Sequence, residues 1–516
     1  MKTVVEPQKE IPVLSEAEVV VVGGGPAGIG AALSSARTGA ETVLIDRFGS
    51  LGGLQTQGNN SIFSFVDPAL HGGIIAEILE RLAAAGQVSN PDTMSDAERA
   101  ARRSPFTGGL PADRLPKRLV ETAVGYWGRW GRYFDAEYYK YLLDEMIAEA
   151  GVKPLYHSFA AAAIREGDSL KGVIIETKEG RRAVLGKVVI DTTGQADIAW
   201  KSGAPVLGDE GFPVGPRKGH PGGMLHAFFI AGVDLPKFRE FRRANPAEWG
   251  AMYGGRRIIK EAREKGAHLK SGAVIISADW DLAGAGRVYI MNPVHAVPVG
   301  RTGWMTEEMT DCEIDLRKQA WAIWQLLKEK VPGFEKSFVE KTPQLCTFPG
   351  HRILGEHIVT VGEMREGKAF DDAIAINNMP PDIYEAVGRF RYEILPHDIP
   401  YSALVSKGID NLLGGGMTVS SGPFAMAGLR YCTPSICTGQ AAGTAAALAA
   451  RNNVSPKKLD VKLLQNSLRK QGARVSVKDV AAEALEPYQF IQKLGIVWER
   501  TPGAKIDVTE EEIGRY

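Results

Sequence analysis

The chain has 516 residues, of which 44% are hydrophobic and 24% charged, and its 61 basic and 61 acidic side chains cancel. These proportions are those of an ordinary globular protein and argue against a disordered chain. The length suits two closely associated domains. Without a basic excess, we expect no nucleic-acid partner and a small-molecule substrate instead.

The amino terminus and the cysteines bear on localisation. Residues 1–17 lack the continuous apolar core of a secretion signal, and the apolar run 439–450 is too short to span a bilayer. We therefore expect a cytoplasmic protein without a membrane span. Four cysteines suit reduced thiols better than a disulfide framework, and no metal site is predicted. They are Cys312, Cys346, Cys432 and Cys437.

The first recognisable element is a strand, turn and helix at residues 18–38. Four valines precede a glycine cluster, and alanine-rich helix formers follow it. A second strand over 41–45 ends in Asp46 and completes a βαβ unit of about 30 residues. The spacing Gly23-x-Gly25-x-x-Gly28 within this unit predicts a cradle for a dinucleotide diphosphate, and Asp46 is placed to bind a ribose.

Further along the chain, hydrophobic periodicity predicts helices and strands in mixed order. The predicted elements are a helix over 73–85, a polar surface loop or lid to about 130, a helix over 135–150, strands over 152–156, 161–165, 172–177 and 183–190, a strand over 287–292, a helix over 311–330 and a small-residue helix ending near 450. The last sixty or so residues are charged and helical in pattern. We expect them to be peripheral.

FAD is favoured over NAD because its ring system must be supported far from the first βαβ unit, and this chain has a late small-residue helix that can do so. A helix beginning at Thr433-Pro434 has a good cap and a proline at its first position. Its N-terminus would favour negative charge on a reduced flavin. Alternatively, Gly439 and Gly443 lie on one face and only permit close packing. The sequence leaves both interpretations open.

Several motifs occur in the same order as in a known family. They are Val20–Gly28, Leu44–Gly53, Val189–Asp197, Arg352–Glu356, Phe370–Ile374, Ile399–Leu404, Gly408–Leu413 and Gly439–Ala447. Over residues 17–475 the chain resembles the bacterial FAD-dependent oxidoreductases of the glutathione-reductase-like superfamily. The resemblance implies an α/β fold, with a Rossmann-like FAD-binding domain and an inserted mixed α+β substrate domain.

The resemblance also implies which segments belong to each domain and which residues bind FAD. The FAD-binding domain would comprise 15–60, 131–204 and 396–460, the substrate or cap domain 61–130 and 205–395, and a peripheral helical segment 461–516. The expected FAD ligands are Gly23, Gly25, Pro26, Ala27, Gly28, Asp46, Arg47, Gly52, Gly53, Leu54, Gln55, Gly194, Gly416, Gly439, Gln440, Ala441 and Ala442. Asp46 would bind ribose, and Gly194 would close the adenine end.

The chain departs from the family pattern at 348–353 and 420–423, so its catalytic residues have to be inferred from their chemistry. Hydride transfer to flavin requires a base that titrates near neutrality, for which histidine is the usual residue. His351 and His357 flank Arg352, which we interpret as an anion clamp. His226 and His295 are further candidates.

Two other patterns carry less weight. Cys432 and Cys437 are spaced like a redox pair, but in disulfide reductases that pair follows the first Gly-Gly, where this chain has Leu54-Gln55. The four cysteines are too scattered for an iron–sulfur cluster. The aromatic segment 126–134 could form a stacking wall, although such clusters are more often core.

The sequence therefore predicts an enzyme that transfers a hydride from a CH–OH, CH–NH or CH–CH group of a small substrate to FAD. The alternatives are a flavin-dependent monooxygenase and, less favoured, a non-catalytic flavoprotein. A second nucleotide fingerprint is absent, so we expect the electrons to leave to oxygen, a quinone or a carrier protein. The oligomeric state cannot be read from the sequence.

Overall fold

The computed structural model describes most of the chain. The described residues are 2–89, 132–208, 223–249, 253–270, 272–277, 285–296, 305–346, 350–381, 389–391, 394–493 and 497–499. The predicted lid, 91–130, lies outside them, as do the aromatic residues 126–131 and the chain after 499.

Helices and strands alternate through the described residues. The helices are α1 (Pro26–Arg37), α2 (Ile74–Ala84), α3 (Ala136–Glu149), α4 (Asp197–Lys201), α5 (Leu235–Ala244), α6 (Pro246–Trp249), α7 (Arg256–Glu264), α8 (Thr306–Lys330), α9 (Val361–Glu366), α10 (Pro423–Leu429), α11 (Cys432–Asn452), α12 (Val461–Lys470) and α13 (Ala482–Lys493). The strands are β1 (Val13–Val22), β2 (Thr42–Ile45), β3 (Ile62–Phe63), β4 (Arg132–Tyr133), β5 (Lys153–Leu155), β6 (Phe159–Glu166), β7 (Ser169–Thr177), β8 (Gly180–Asp191), β9 (Val206–Leu207), β10 (Gly223–Ala231), β11 (Tyr253–Gly254), β12 (Val274–Ser277), β13 (Val288–Ala296), β14 (Phe338–Lys341), β15 (Arg352–Ile353), β16 (Ala373–Asn377), β17 (Arg389–Arg391), β18 (His397–Pro400), β19 (Leu412–Gly414) and β20 (Val497–Glu499).

A seven-stranded sheet organises the first core. Its order is β5-β2-β1-β8-β7-β6, with β19 also paired to β8. β1 runs parallel to β2 and β8, and β19 runs parallel to β8, whereas β6 and β7 form the predicted antiparallel hairpin. Val19 and Val21 pack in one core cluster and Val20 and Val22 in another. Both faces of β1 are therefore covered, which explains its unbroken apolar sequence.

A second sheet has its own hydrophobic core. It is antiparallel, in the order β11-β12-β13-β10-β14. The 25-residue helix α8 contributes Ile323 and Leu327 to this core, where they join Phe228 and Ile290 from the sheet. A parallel-rich sheet beside an antiparallel sheet with helices confirms the predicted fold class.

Two helices that the sequence placed outside the FAD-binding domain contribute to the first core. α2 buries Ile75 and Ile78 there, and α12 buries Leu464 and Leu468. Both helices are amphipathic, so each needs a partner for its apolar face. The exact division of the chain into domains stays a prediction.

Candidate functional site

A large cavity lies at the carboxyl ends of the parallel strands. It is lined by residues that follow β1, β2, β8 and β19, and also by side chains of β13 from the second sheet. Its volume is about 1720 Å³, including space continuous with solvent. The lining includes the loop after β8, the turn between β1 and α1 and the first turn of α11, so the cavity suits an extended ligand. Carboxyl strand ends are where open α/β sheets bind ligands.

The turn between β1 and α1 supplies one wall of the cavity. Gly23 has a φ of +106°, and a Cβ there would lie 2.5 Å from the Thr192 carbonyl oxygen. At Gly28 a Cβ would overlap the Gly23 carbonyl oxygen, so this glycine lets helix and strand approach. Gly25 lines the cavity, and the nearest atom to a Cβ built on it is the Gly53 Cα, 4.0 Å away. A side chain at Gly25 would therefore occupy the cavity itself.

Asp46 lies at the end of β2 and lines the same cavity. Its Oδ2 accepts a hydrogen bond from the Gly24 N–H at 2.6 Å, and its Oδ1 accepts one from the Phe48 N–H at 2.7 Å. Burial raises the pKa of this carboxyl, although the two backbone N–H groups act in the opposite direction. An ionised carboxylate has about four acceptor positions, so it can still receive ligand hydroxyl groups.

The loop after β8 continues this wall. Asp191 holds the loop by accepting backbone N–H bonds from Thr193, Ile198 and Ala199, at 2.8 to 3.1 Å. Burial raises the pKa of Asp191 to about 6. Gly194 lines the cavity with a φ of +86°, and no atom lies within 4 Å of a Cβ built there. Its backbone conformation, rather than lack of space, is what favours glycine.

A tight turn at residues 52–55 faces the glycine cradle. Gly52 and Gly53 have φ values of +105° and +51°, and a Cβ on Gly53 would lie 2.9 Å from the Gly25 Cα. Leu54 and Gln55 follow and line the cavity. The Gln55 Nε2 atom is buried and has no hydrogen-bond partner among the described residues. An unmet donor in a cavity wall favours a polar ligand there, because an unpaired buried N–H is costly.

The N-terminus of α11 forms a further part of the wall. Cys432 and Ser435, in its first turn, line the cavity together with Arg430 and Tyr431 just before it. The first N–H groups of a helix have no partner within the helix, and they carry positive partial charge. Two helix N-termini, those of α1 and α11, therefore adjoin one cavity.

Sequence comparison identifies the family. The family model described as FAD dependent oxidoreductase matches residues 18–468. The chain belongs to this family. FAD is accordingly its cofactor, as predicted. No curated protein matches the sequence significantly.

Solved structures of other proteins resemble the FAD-dependent oxidoreductase described here at low identity. A geranylgeranyl bacteriochlorophyll reductase-like protein from Thermoplasma acidophilum is 14% identical, with a TM-score of 0.42 over 97% of this chain and 95% of that chain. The p-nitrophenol 4-monooxygenase of Pseudomonas putida is 12% identical, with a TM-score of 0.42 over 93% of this chain and 95% of that one. CabE, an aromatic hydroxylase from angucycline biosynthesis, is 15% identical, with a TM-score of 0.46 over 93% of this chain and 75% of that chain.

The cavity of this FAD-dependent oxidoreductase fits its cofactor. The glycines leave room for a diphosphate, the Asp46 carboxylate suits a ribose, and the Gln55 amide suits a polar ring edge. Of the predicted FAD ligands, ten line the cavity. They are Gly23, Gly25, Pro26, Ala27, Asp46, Arg47, Gly53, Leu54, Gln55 and Gly194.

The remaining predicted FAD ligands lie outside the cavity lining, and their contact with FAD stays a prediction. Gly28 and Gly52 support the two turns, and the Gly416 N–H donates to the Thr438 Oγ1 at 3.0 Å. At Gly439 a Cβ would overlap the Ala27 carbonyl oxygen. Ala441 and Ala442 are fully buried in the first core. The packing interpretation of this glycine-containing helix therefore holds at these positions, while the cavity wall comes from the first turn of α11.

Gln440 also serves the packing of α11. Its Oε1 accepts from the Ile74 N–H at 3.1 Å, and its Nε2 donates to the Gln471 Oε1 at 3.0 Å. Because both ends of the amide are engaged, Gln440 joins α11 to α2 and to the residue after α12. The sequence predicted the helix, but not which way this side chain points.

The three predicted catalytic residues do not belong to the cavity lining. The buried Arg352 donates through Nε to the Ser421 carbonyl oxygen at 2.8 Å, and the His351 ring stacks on Trp200 with centroids 5.9 Å apart. His357 pairs with Glu363, Nε2 to carboxylate oxygen 3.1 Å. Each side chain therefore has a structural partner, and a catalytic role for any of them stays a prediction.

Sequence reasoning missed the far wall of the cavity. Tyr289 and Met291 of β13, with Leu345 and Cys346, line it. Tyr133, also in the lining, belongs to the aromatic segment that the sequence singled out. Tyr289 and Met291 carry no motif, because an antiparallel strand with alternating side chains looks the same whether one face meets a ligand or the core. The side chain of His295 lies outside the described residues.

Among the described residues, no helix combines the length and the apolar character needed to cross a bilayer.

Proposed function

We propose that the protein is a dehydrogenase or oxidase that transfers a hydride from a CH–OH, CH–NH or CH–CH group of a small organic substrate to FAD. The observation that carries the proposal is the shared cavity. Its first wall is the glycine cradle with Asp46, and its second wall comes from β13 and residues 345–346. A substrate on the second wall would therefore share one cavity with a cofactor on the first.

The second wall suits a planar or partly apolar substrate. The rings of Tyr133 and Tyr289 lie 5.7 Å apart, and Phe229 meets Tyr289 edge-on at 5.7 Å. The Tyr289 hydroxyl donates to the Asn60 Oδ1 at 2.9 Å. The ring is thus held at both its face and its hydroxyl, so the cavity wall presents a fixed aromatic surface to a substrate.

When bound, FAD supplies the hydride acceptor. The protein's own contribution is position and charge. The first turn of α11 brings backbone N–H groups to the cavity through Cys432 and Ser435, and Arg430 adds a positive side chain beside them. Positive partial charge at this place favours the negative charge that hydride transfer delivers. The electron acceptor, whether oxygen, a quinone or a carrier protein, stays a prediction.

The test is anaerobic mixing of the flavin-loaded protein with sugars, amines, hydroxy acids and aromatic compounds, while flavin absorbance is followed. At least one class should bleach the flavin. Tyr289→Phe should slow bleaching about five- to tenfold, since a lost neutral hydrogen bond costs roughly 1 kcal/mol. Tyr141→Phe, on the exposed surface of α3, is the matched control and should leave the rate unchanged.

The competing outcome is well defined. If no compound bleaches the flavin, NADPH does, and a product then gains an oxygen atom from O₂, the protein is a monooxygenase. In that case the proposed reaction is wrong, while the assignment to the FAD-dependent family stands.

A further inference from the structure

Three side chains with metal-binding groups meet at the far wall of the cavity. They come from β10, from α8 and from the segment after β14: His226, Glu313 and Cys346. One nitrogen, one carboxylate oxygen and the sulfur all lie within 4.8 Å of one another. The His226 Nε2 is 3.0 Å from a Glu313 oxygen, and the other Glu313 oxygen accepts the Cys346 N–H at 2.9 Å.

The burial of this cluster is unusual for its chemistry. His226 is fully buried and Cys346 is 1% exposed. Burial, the contact with Cys312 and the nearby Glu313 carboxylate all raise the pKa of the Cys346 thiol. A cation placed among these groups would reverse that effect, because a coordinated thiol loses its proton.

We propose that His226, Glu313 and Cys346 bind a divalent transition-metal ion of the zinc type, with its fourth coordination position open to the cavity. Imidazole nitrogen, thiolate sulfur and carboxylate oxygen are the three donor types that zinc takes in proteins. Three protein ligands with one open position is the arrangement of catalytic rather than structural zinc sites. Cys346 also lines the flavin cavity, which places the proposed site at the far wall of that cavity.

The distances require only a small contraction. Zinc binds nitrogen at about 2.0–2.1 Å, carboxylate oxygen at about 2.0–2.2 Å and sulfur at about 2.3 Å, so tetrahedral ligand atoms lie roughly 3.3–3.7 Å apart. The cluster therefore needs to close by about 1 Å at its longest edge. Binding releases the Cys346 proton to solvent and leaves His226 neutral.

Cys312 completes the surroundings of the proposed site. Its sulfur lies 3.8 Å from the Cys346 sulfur, and it is fully buried on α8. As a thiol it can donate a hydrogen bond to a Cys346 thiolate, which is the kind of outer contact that orients metal ligands. A disulfide would require the two sulfurs to approach to about 2.05 Å.

A metal at this position would act on the substrate rather than on the flavin. Its open coordination position could hold a hydroxyl, amine or carboxylate of the substrate and lower the pKa of a bound O–H or N–H group. The inference adds to the proposed function, but metal binding can be tested without any turnover.

The experiment uses the flavin-loaded, full-length protein, stripped with a chelator under reducing conditions and then incubated with zinc. After gel filtration, elemental analysis should find one zinc per chain. Cys346→Ser and Glu313→Gln should each weaken zinc binding by at least about tenfold. Cys437→Ser removes a thiol outside the cluster and should bind zinc like the wild type.

Cobalt provides a second readout that does not depend on activity. Substitution with Co²⁺ should give a thiolate-to-metal absorption band in the wild type and in Cys437→Ser, but not in Cys346→Ser. Flavin content reports that each variant is folded. Zinc absent from the wild type, equal zinc in all variants, or a Cys312–Cys346 disulfide in the reduced preparation would each overturn the proposal. Loss of flavin reduction by substrates with zinc binding intact would instead count against the proposed reaction alone.

Discussion

At the scale of single residues, Asp46 serves the fold and the ligand together. One oxygen fixes the glycine turn through the Gly24 N–H, and the other fixes the following loop through the Phe48 N–H. The carboxylate is nearly buried, yet it lines the cavity. The two backbone N–H groups have already oriented the Asp46 carboxylate. Asp46 therefore loses no side-chain freedom when its oxygens also accept hydrogen bonds from ribose hydroxyls.

Replacing Asp46 with alanine should therefore weaken FAD retention. A lost charge-assisted hydrogen bond costs about 1.5–3 kcal/mol, which corresponds to roughly 10- to 150-fold in the dissociation constant. Flavin absorbance after dialysis measures how much FAD the variant retains. Asp371→Ala is the control, because that carboxylate is fully exposed. Equal flavin occupancy in both variants would contradict the ribose assignment.

Two buried histidines make stability depend on pH. Burial lowers the pKa of both His71 and His397 to about 4. The network shows His397 as neutral, with Nδ1 donating to the Leu395 carbonyl oxygen and Nε2 accepting from the Asn377 amide. The unfolded chain takes up these protons near pH 6.5, well before the folded protein does.

Stability should therefore fall as the pH is lowered from about 6.5 to 4, with a contribution on the order of 3 kcal/mol from each histidine. Thermal unfolding across this range measures the effect. Relative to the wild type, His397→Gln should reduce the loss of stability between pH 6.5 and 4 by the contribution of one histidine. A midpoint that stays constant from pH 6.5 to 4 would contradict the prediction.

At the scale of elements, α1 and α11 pack backbone against backbone. A Cβ on Gly443 would overlap the Ala31 carbonyl oxygen, one on Gly439 the Ala27 oxygen, and one on Gly30 the Ile436 oxygen. Glycines on both helices therefore remove the side chains that would hold the axes apart. Because the two N-termini adjoin the same cavity, this contact also sets the distance between the cradle and the α11 wall.

Gly443→Ala should consequently destabilise the protein by about 1–3 kcal/mol, since a methyl group placed against a carbonyl forces the helices apart. It should also reduce flavin content, although residue 443 does not line the cavity. Thermal unfolding and flavin absorbance measure these effects. Gly272→Ala, with open space around its Cβ, should leave both unchanged. A fully stable Gly443→Ala variant would mean that the helices can shift freely.

At the scale of the whole molecule, sequence reasoning succeeded where the signal was local. The βαβ unit with Gly23 and Asp46 was predicted because its strand, turn and acid lie within about 30 residues. The far wall was not predicted, since Tyr289 lies in the second sheet and Cys346 follows its last strand, both far from the cradle along the chain. The cluster of His226, Glu313 and Cys346 was not predicted either. Glu313 lies 87 residues after His226, and Cys346 lies 33 residues after Glu313. No local pattern marks such a meeting point.

The parallel pairing of β19 with β8 has a consequence for biosynthesis. The chain returns to the first sheet only at residue 412, more than two hundred positions after β8 ends. During synthesis on the ribosome, the glycine cradle therefore emerges early. Helix α11, which packs against α1, is complete only after about residue 450 has emerged. Loading of the vitamin-derived cofactor is consequently a late event in the life of the newly made protein.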